Sequence, residues 1–440
     1  MQDNDVTILG AGLVGSLLAT LLAERGITVD VYEKRKDPES RPVEQGRSIN
    51  LALSHRGIRS LQLAGVYDQV QKHLIPMKGR MMHDVKGNLS FQSYGREDQH
   101  INSVSRAGLN YTLIEHARAQ GVNFHFDSFC QGVNLEKTTC YFEGETVRSN
   151  VLIGSDGAFS VLRQAMQRTE RFNLEQYYIP HGYKELTLHP QDGDFALEPN
   201  YLHIWPRGNF MLIALPNPDK SFTCTLFFPF EGDLSFQSIQ TEEGVLRFFE
   251  QYFPDVLPLM PNVAKEFIAN PTSSLVTIKT SPWHRNNSLL IGDASHAIVP
   301  FYGQGMNAGF EDCRLLIEWG EKFNFDWKKL LPHFSTHRKR DADAISDLAM
   351  KNFVEMRDKV ADERFLKIKK FEARLQQHYP DTWLPLYTMV TFSDIPYAEA
   401  KSLGELQAKL MAELPDDFDP ETHPMEGVIA RFNALKQGAQ

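Results

Sequence analysis

The chain opens with a short β-branched and apolar run, Val6 to Gly10, turns through glycines, and continues as Leu13 to Arg25, whose apolar positions suit a helix packed on a sheet. Val29 to Glu33 returns as a second apolar run. Strand, helix and strand in this order predict a βαβ unit, and its right-handed crossover lays the second strand parallel to and beside the first. Two further apolar runs, Val151 to Gly154 and Ser288 to Ile291, each lead through glycine to a nearby aspartate. The parallel sheet is therefore expected to assemble from distant pieces of chain.

Between those pieces, Tyr201 to Phe230 reads as strand, turn, strand, with turn compositions at Pro206 to Asn209 and Pro216 to Lys220. A second, antiparallel sheet is the simplest reading. From Trp327 the pattern becomes helical, with Ala342 to Lys359 and Ala361 to His378 followed by the proline-bearing Pro380 to Pro385. That region predicts a helical cap. Without an internal repeat or a low-complexity linker, the units are expected to pack into one body.

Composition narrows the class. A chain of 440 residues exceeds what one core usually fills, so two or three units are expected, and 42% hydrophobic with 23% charged residues is ordinary for a globular enzyme. The formal charge of -10 offers nucleic acid no basic footprint, and Lys367 to Lys370 reads as a solvated helix face. Four cysteines (Cys130, Cys140, Cys224, Cys313) without CxxC spacing suit a reducing compartment and argue against disulfides or a metal site. The early strand at Val6 leaves no room for a signal peptide, and no run approaches the roughly 18 to 20 apolar residues of a membrane span. A soluble, cytoplasmic protein with no nucleic-acid or membrane partner is expected.

Chemistry enters with Gly10-Ala11-Gly12-Leu13-Val14-Gly15, a G-x-G-x-x-G directly after a strand and at a helix start. Gly10 permits the tight turn, Gly12 lets a pyrophosphate approach the backbone, Gly15 lets helix and strand pack closely, and the helix N-terminus favours the phosphate charge. Glu33, ending the second strand, can accept hydrogen bonds from ribose hydroxyls. Glycines at a helix entry often serve the backbone alone, but strand, helix, strand and terminal Glu in order point to dinucleotide binding. This motif does not choose between NAD and FAD.

Two other segments bear on that choice: Ile153-Gly154-Ser155-Asp156-Gly157, running on to Arg163, and Leu290-Ile291-Gly292-Asp293-Ala294, running on to Pro300. Together with the glycine turn they resemble the three fingerprints of the class A FAD-dependent aromatic hydroxylases. The resemblance implies an α/β fold: a Rossmann-like FAD-binding domain (1–70, 101–180 and 265–330), a mainly antiparallel-sheet substrate domain (71–100 and 181–264) and a C-terminal helical cap (331–440). It also implies FAD as cofactor and NADPH as co-substrate, with Asp156 serving both nucleotides and Asp293 bonding the ribityl chain. Pro300 to Asn307 follows, and its Gly303 and Gly305 would let backbone N–H groups reach a flat ring at a helix N-terminus. Family FAD contacts carry over to Val14, to Tyr32, Glu33, Lys34 and Arg35, to Ala52, to Arg106, and to Met306 with Asn307.

Longer strings narrow the resemblance to the kynurenine 3-monooxygenases within that class. They include Gly46 to Ser54, His181 to Leu186, Glu198 to Pro206, Val299 to Met306 and Pro385 to Phe392, and the likeness runs to about Ala398. It implies L-kynurenine and O2 as substrates and no obligatory side-chain base, because the amino group already activates the ring. Arg80 would hold the substrate carboxylate through a bidentate, charge-assisted pair. Tyr94, Asn352 and Tyr387 would complete the polar shell, and Ile213, Leu215, Phe227, Pro300, Phe301 and Met356 would wall the aromatic ring. One departure is Tyr302, where relatives carry His or Phe. Two other readings share the flavin fingerprints: a hydroxylase of another aromatic acid, separated by the set of Arg80, Tyr94, Asn352 and Tyr387, and a flavin-binding protein without substrate-dependent NADPH consumption.

Overall fold

The computed structural model describes residues 3–40, 50–96, 98–358 and 363–438. Its first sheet is built around five parallel strands, Ser288–Leu290, Glu145–Gly154, Asp3–Leu9, Val29–Tyr32 and Asn123–His125, in that spatial order. The expected adjacency holds in register, with Val6 opposite Val29 on one side and Val151 on the other. Every residue of Val29–Tyr32 is buried, as befits a strand covered on both faces. One cover is the helix Leu13–Ala23, whose Leu17, Leu18, Leu21 and Leu22 are fully enclosed.

The second sheet has seven strands, antiparallel except where Leu202–Pro206 runs parallel to Gly79–His83. The segment read as strand, turn, strand is in fact three strands, Leu202–Pro206, Met211–Pro216 and Phe222–Pro229, because each of the two turn compositions reverses the chain once. All eight residues of Phe222–Pro229 are buried, since the sheet is covered twice. Leu226 and Phe228 face a phenylalanine-rich core with Phe248, Phe249 and Phe253 from the helix Glu242–Tyr252 and the turn after it. Phe227, between them, joins Phe301, Ile345 and Leu348 on the opposite face. Strand alternation thus gives the sheet two separately covered faces.

The 16-residue strand Asn173–Leu188 crosses the expected boundary at 180 and pairs with Ser273–Ser281 from its first residue. Its first six residues are largely exposed, so no hydrophobic alternation announces them. The C-terminal region contains the helices Trp327–Asp358, Glu363–His378, Leu386–Thr391, Tyr397–Ala412 and Glu426–Gly438. No helix among the described residues is long and apolar enough to cross a membrane.

Candidate functional site

The glycine turn is built as its spacing demands. Gly10 has φ +100°, and a Cβ there would meet the Ser155 carbonyl oxygen at 2.8 Å. A Cβ on Gly15 would lie 2.0 Å from the Gly10 carbonyl oxygen, so helix and turn can approach only through glycine. Around Gly12, by contrast, nothing among the described residues lies within 4 Å of a Cβ position. That open space, at the N-terminus of the helix Leu13–Ala23, fits a pyrophosphate. Ser155 braces the turn by donating from its hydroxyl to the Leu9 and Gly10 carbonyls, both at 3.0 Å. Next to it, Asp156 accepts from the Val161 backbone N–H at 2.7 Å through one oxygen, while its other oxygen is buried without a partner. Burial pushes this carboxyl above the ordinary range, and an additional hydrogen-bond donor would lower it.

Glu33 is already engaged. It accepts from the Ala11 N–H (2.9 Å), the Arg35 N–H (2.9 Å) and the Arg35 guanidinium (2.8 and 3.1 Å). Burial would raise its carboxyl, but the Arg35 contacts and the two backbone donors outweigh burial and hold it below the usual range. Its roughly four acceptor positions are thus filled, and a ribose hydroxyl would have to displace the exposed Arg35. The Tyr32 ring is buried, stacked on His125 and Phe142 at 4.3 and 4.4 Å, so its side chain serves the core beneath the site. Lys34 is exposed at the strand end.

The second aspartate stands open. Gly292 takes φ +59°, starting the short helix Asp293–His296, in which Asp293 is exposed while Ala294, Ser295 and His296 are buried. From the helix Gly305–Lys322, Asp312 accepts the Gly292 N–H at 3.1 Å and meets His296 at 2.6 Å and Arg338 at 2.7 Å. Val14 packs where a Cβ on Gly292 or Gly309 would go, which seats the glycine turn against this loop.

In the loop Pro300 to Asn307, Gly303 adopts φ +66° and the following helix starts at Gly305. The Asn307 carboxamide accepts from the Ser54 N–H (2.9 Å) and donates to the Ala52 and Gly303 carbonyls (2.8 and 2.9 Å). Its side chain is therefore consumed in tying the loop to the strand Asn50–Leu53. What the loop can offer a flat ring is backbone N–H at a helix N-terminus beside the half-buried Met306. Arg106 is exposed on the first turn of the helix Arg106–Ala119, which Ser105 caps at 3.2 Å, and its charge reaches Tyr183 and Glu185 on the second sheet.

Arg80 lies beyond the loop, its guanidinium 5.0 Å from the Tyr387 ring centroid and 5.5 Å from that of Tyr94. Tyr94 stacks on Tyr387 at 5.3 Å, and Tyr387 stacks on Tyr302 at 5.6 Å. Its electrostatic neighbours are these phenols, and no carboxylate among the described residues pairs with it. The Tyr94 hydroxyl is buried with no well-formed hydrogen bond among the described residues. Burial pushes all three phenols up, so each remains a proton donor. A cation that meets phenols and no carboxylate among the described residues suits a ligand carboxylate.

Apolar walls adjoin the cage. Ile213 and Leu215 project from Met211–Pro216 toward Tyr94 and Tyr387, while Phe227 and Phe301 face each other at 4.9 Å. Asn352 donates to the Phe301 carbonyl at 2.5 Å, so part of its polarity holds the loop. Pro300 is exposed on that loop. The Met356 side chain and the Gly46 to Ile49 part of the first family string lie outside the described residues. Sequence reasoning missed Asp312, His296 and Arg338, whose signal is only a buried charged cluster, and Gln304, which sat unremarked within a quoted string.

A family model described as an FAD binding domain matches residues 3–319. Among solved structures, 2-methyl-3-hydroxypyridine-5-carboxylic acid oxygenase superposes with a TM-score of 0.69 at 19% identity, covering 82% of this chain and 94% of that one. The p-nitrophenol 4-monooxygenase of Pseudomonas putida gives 0.67 at 16%, covering 83% and 92%. These likenesses establish the fold of class A flavin monooxygenases. At the sequence level the chain is 47% identical to the kynurenine 3-monooxygenase of Cytophaga hutchinsonii over 94% of each chain. It is 45% identical to that of Sus scrofa, over 93% of this chain and 88% of the relative. With an FAD-binding domain, this fold and this identity along nearly its whole length, the chain belongs to the kynurenine 3-monooxygenase family.

Proposed function

We propose that this protein hydroxylates L-kynurenine at ring carbon 3, with one atom of O2 entering the ring and the other leaving as water at the expense of NADPH. The observation that carries this reading is the cage of Arg80, Tyr94 and Tyr387, a half-buried cation with no acidic partner among the described residues. Arg80 takes the substrate carboxylate in a bidentate pair, and the Tyr94 and Tyr387 hydroxyls donate to the same group. Asn352 borders the amino-acid end. Ile213, Leu215, Phe227, Pro300, Phe301 and Met356 enclose the aromatic ring and exclude water from it.

On the cofactor side, the Gly12 opening takes the pyrophosphate, Arg106 neutralises phosphate charge and Asp293 receives the ribityl hydroxyls. The Gly303 to Asn307 backbone would hold the isoalloxazine ring. When bound, the flavin supplies the redox and oxygen-activating chemistry. The protein's own residues position the ring carbon, keep the chamber dry and hold neutral phenols around the carboxylate. This division corresponds to a discontinuous FAD-binding unit, a substrate sheet and a C-terminal cap carrying Tyr387. Four buried free thiols accord with a cytoplasmic setting. The test is NADPH oxidation by the FAD-loaded protein with and without L-kynurenine, with the product separated by chromatography. Kynurenine-dependent oxidation yielding 3-hydroxykynurenine supports the reading, and NADPH oxidation indifferent to kynurenine overturns it.

A further inference from the structure

The C-terminal helices touch the flavin turn through one residue that neither the clamp nor the fingerprints use. Tyr397, the first residue of the helix Tyr397–Ala412, is fully buried and donates its hydroxyl to Gln304 Oε1 at 2.9 Å. Gln304 is buried at the head of the helix Gly305–Lys322, and its amide nitrogen reaches the Ser54 hydroxyl at 3.5 Å. Ser54 in turn donates its N–H to Asn307, which bonds Gly303 and Ala52. The polar groups of Tyr397, Gln304, Ser54 and Asn307 therefore form one chain that pins both ends of the turn 303–307.

The Tyr397 ring is itself held. The Arg56 guanidinium lies 4.0 Å from its centroid, in cation–π range. Arg56 also pairs with Glu311 at 2.6 Å and donates to the carbonyls of Val390, at 3.1 Å, and Ile395, both in the C-terminal region. One arginine, two residues beyond Ser54, thus fastens the cap to the nucleotide-binding unit and aims the phenol at the turn.

We propose that Tyr397 is a positioning residue for the flavin turn, so that docking of the C-terminal helices holds Gly303 to Asn307 in the form that seats the ring. This rests on the reading that the turn seats a flavin. Burying the Gln304 carboxamide without an oxygen partner would be unfavourable, so removing the phenol releases Gln304 to seek another. The ring and its contact with Arg56 remain in Tyr397→Phe, which keeps the fold intact while deleting the link.

The experiment compares the FAD-loaded wild type with Tyr397→Phe, Gln304→Leu and the double variant. The readouts are the visible circular dichroism of the bound flavin, FAD affinity, thermal unfolding, and the fraction of oxidised NADPH appearing as hydrogen peroxide with kynurenine present. The expected result is an altered flavin dichroism band and a peroxide fraction raised about threefold or more in each single variant, with kynurenine KM within twofold and the double variant no worse than either single. A Tyr397→Phe protein with wild-type dichroism and coupling overturns the proposal. Additive losses in the double variant, tracking thermal destabilisation, overturn it as well, because they mark two independent packing defects. If the wild type fails to hydroxylate kynurenine, the substrate reading falls, while flavin dichroism and FAD affinity still decide the role of Tyr397.

Discussion

Tyr387, from a short helix of the C-terminal region, stacks on Tyr94, which follows the edge strand Leu89–Ser93 of the second sheet, with centroids 5.3 Å apart and planes 12° from parallel. The pair brings together residues nearly three hundred positions apart, and Arg80 lies within 5.5 Å of both rings. The C-terminal region therefore completes the cage of Arg80, Tyr94 and Tyr387.

Truncating the cation tests that cage. Arg80→Ala is expected to weaken kynurenine binding by about 1.5 to 3 kcal/mol, the range for hydrogen bonds to a charged group. Equilibrium titration of the FAD-loaded variant checks this, and unchanged affinity would sink the clamp assignment. Arg80→Lys should recover only part of the loss, because an ammonium cannot reproduce the planar fork.

The glycines separate folding from cofactor binding. Gly12→Ala should leave the thermal unfolding of the cofactor-free protein within about 1 °C of wild type, since its Cβ meets nothing within 4 Å among the described residues. The same methyl would occupy the space offered to the pyrophosphate, so FAD affinity should drop about tenfold or more, a cost of about 1.4 kcal/mol. Gly15→Ala, whose Cβ would sit 2.0 Å from a carbonyl oxygen, should fail to accumulate as folded protein. Expression yield and flavin fluorescence quenching distinguish the two.

Glu185 makes stability depend on pH. Burial pushes its carboxyl up to about 7, against a smaller opposing pull from Arg106. A carboxyl with a raised folded pKa binds more protons folded than unfolded between its two values, so its stability contribution is complete at low pH and lost as pH rises through about 7. Glu185→Gln should therefore be neutral near pH 5 and stabilising at pH 8, by on the order of 2 kcal/mol after solvent screening. Denaturant unfolding at the two pH values reads this directly, and a variant less stable than wild type at pH 8 would refute it.

The buried charges behind the second aspartate are a stiff support. Arg338 bonds Asp312 at 2.7 Å and pairs with Glu311 at 2.9 Å, all three nearly inaccessible. Arg338→Met would leave two buried carboxylates undercompensated, and a loss of about 3 to 5 kcal/mol is expected. Chemical denaturation of wild type and variant provides the comparison, with a difference below about 1 kcal/mol contradicting this account.

Much of this was legible in the chain. The βαβ unit, the glycine turn and the two strand-end aspartates follow from local patterns, because backbone geometry at Gly10 and Gly292 leaves few alternatives. The gathering of Arg80, Tyr94 and Tyr387 came through family strings, since nothing local distinguishes a cage tyrosine from a core tyrosine. Other features were hidden. The exposed start of Asn173–Leu188 lacks alternation, and the full occupation of Glu33 by Arg35 and Ala11 depends on a side-chain conformation. Asn307 was read as a cofactor contact, whereas its carboxamide bonds Ser54, Ala52 and Gly303; only the folded loop reveals which of its groups stay available.

The most direct measurement is the oxidation of NADPH by the purified, FAD-loaded protein with and without L-kynurenine, with products resolved by chromatography. The account predicts that kynurenine accelerates NADPH consumption and that 3-hydroxykynurenine accumulates in proportion to it. A flavoprotein that consumes NADPH at the same rate in both conditions, with no hydroxylated kynurenine formed, would contradict it.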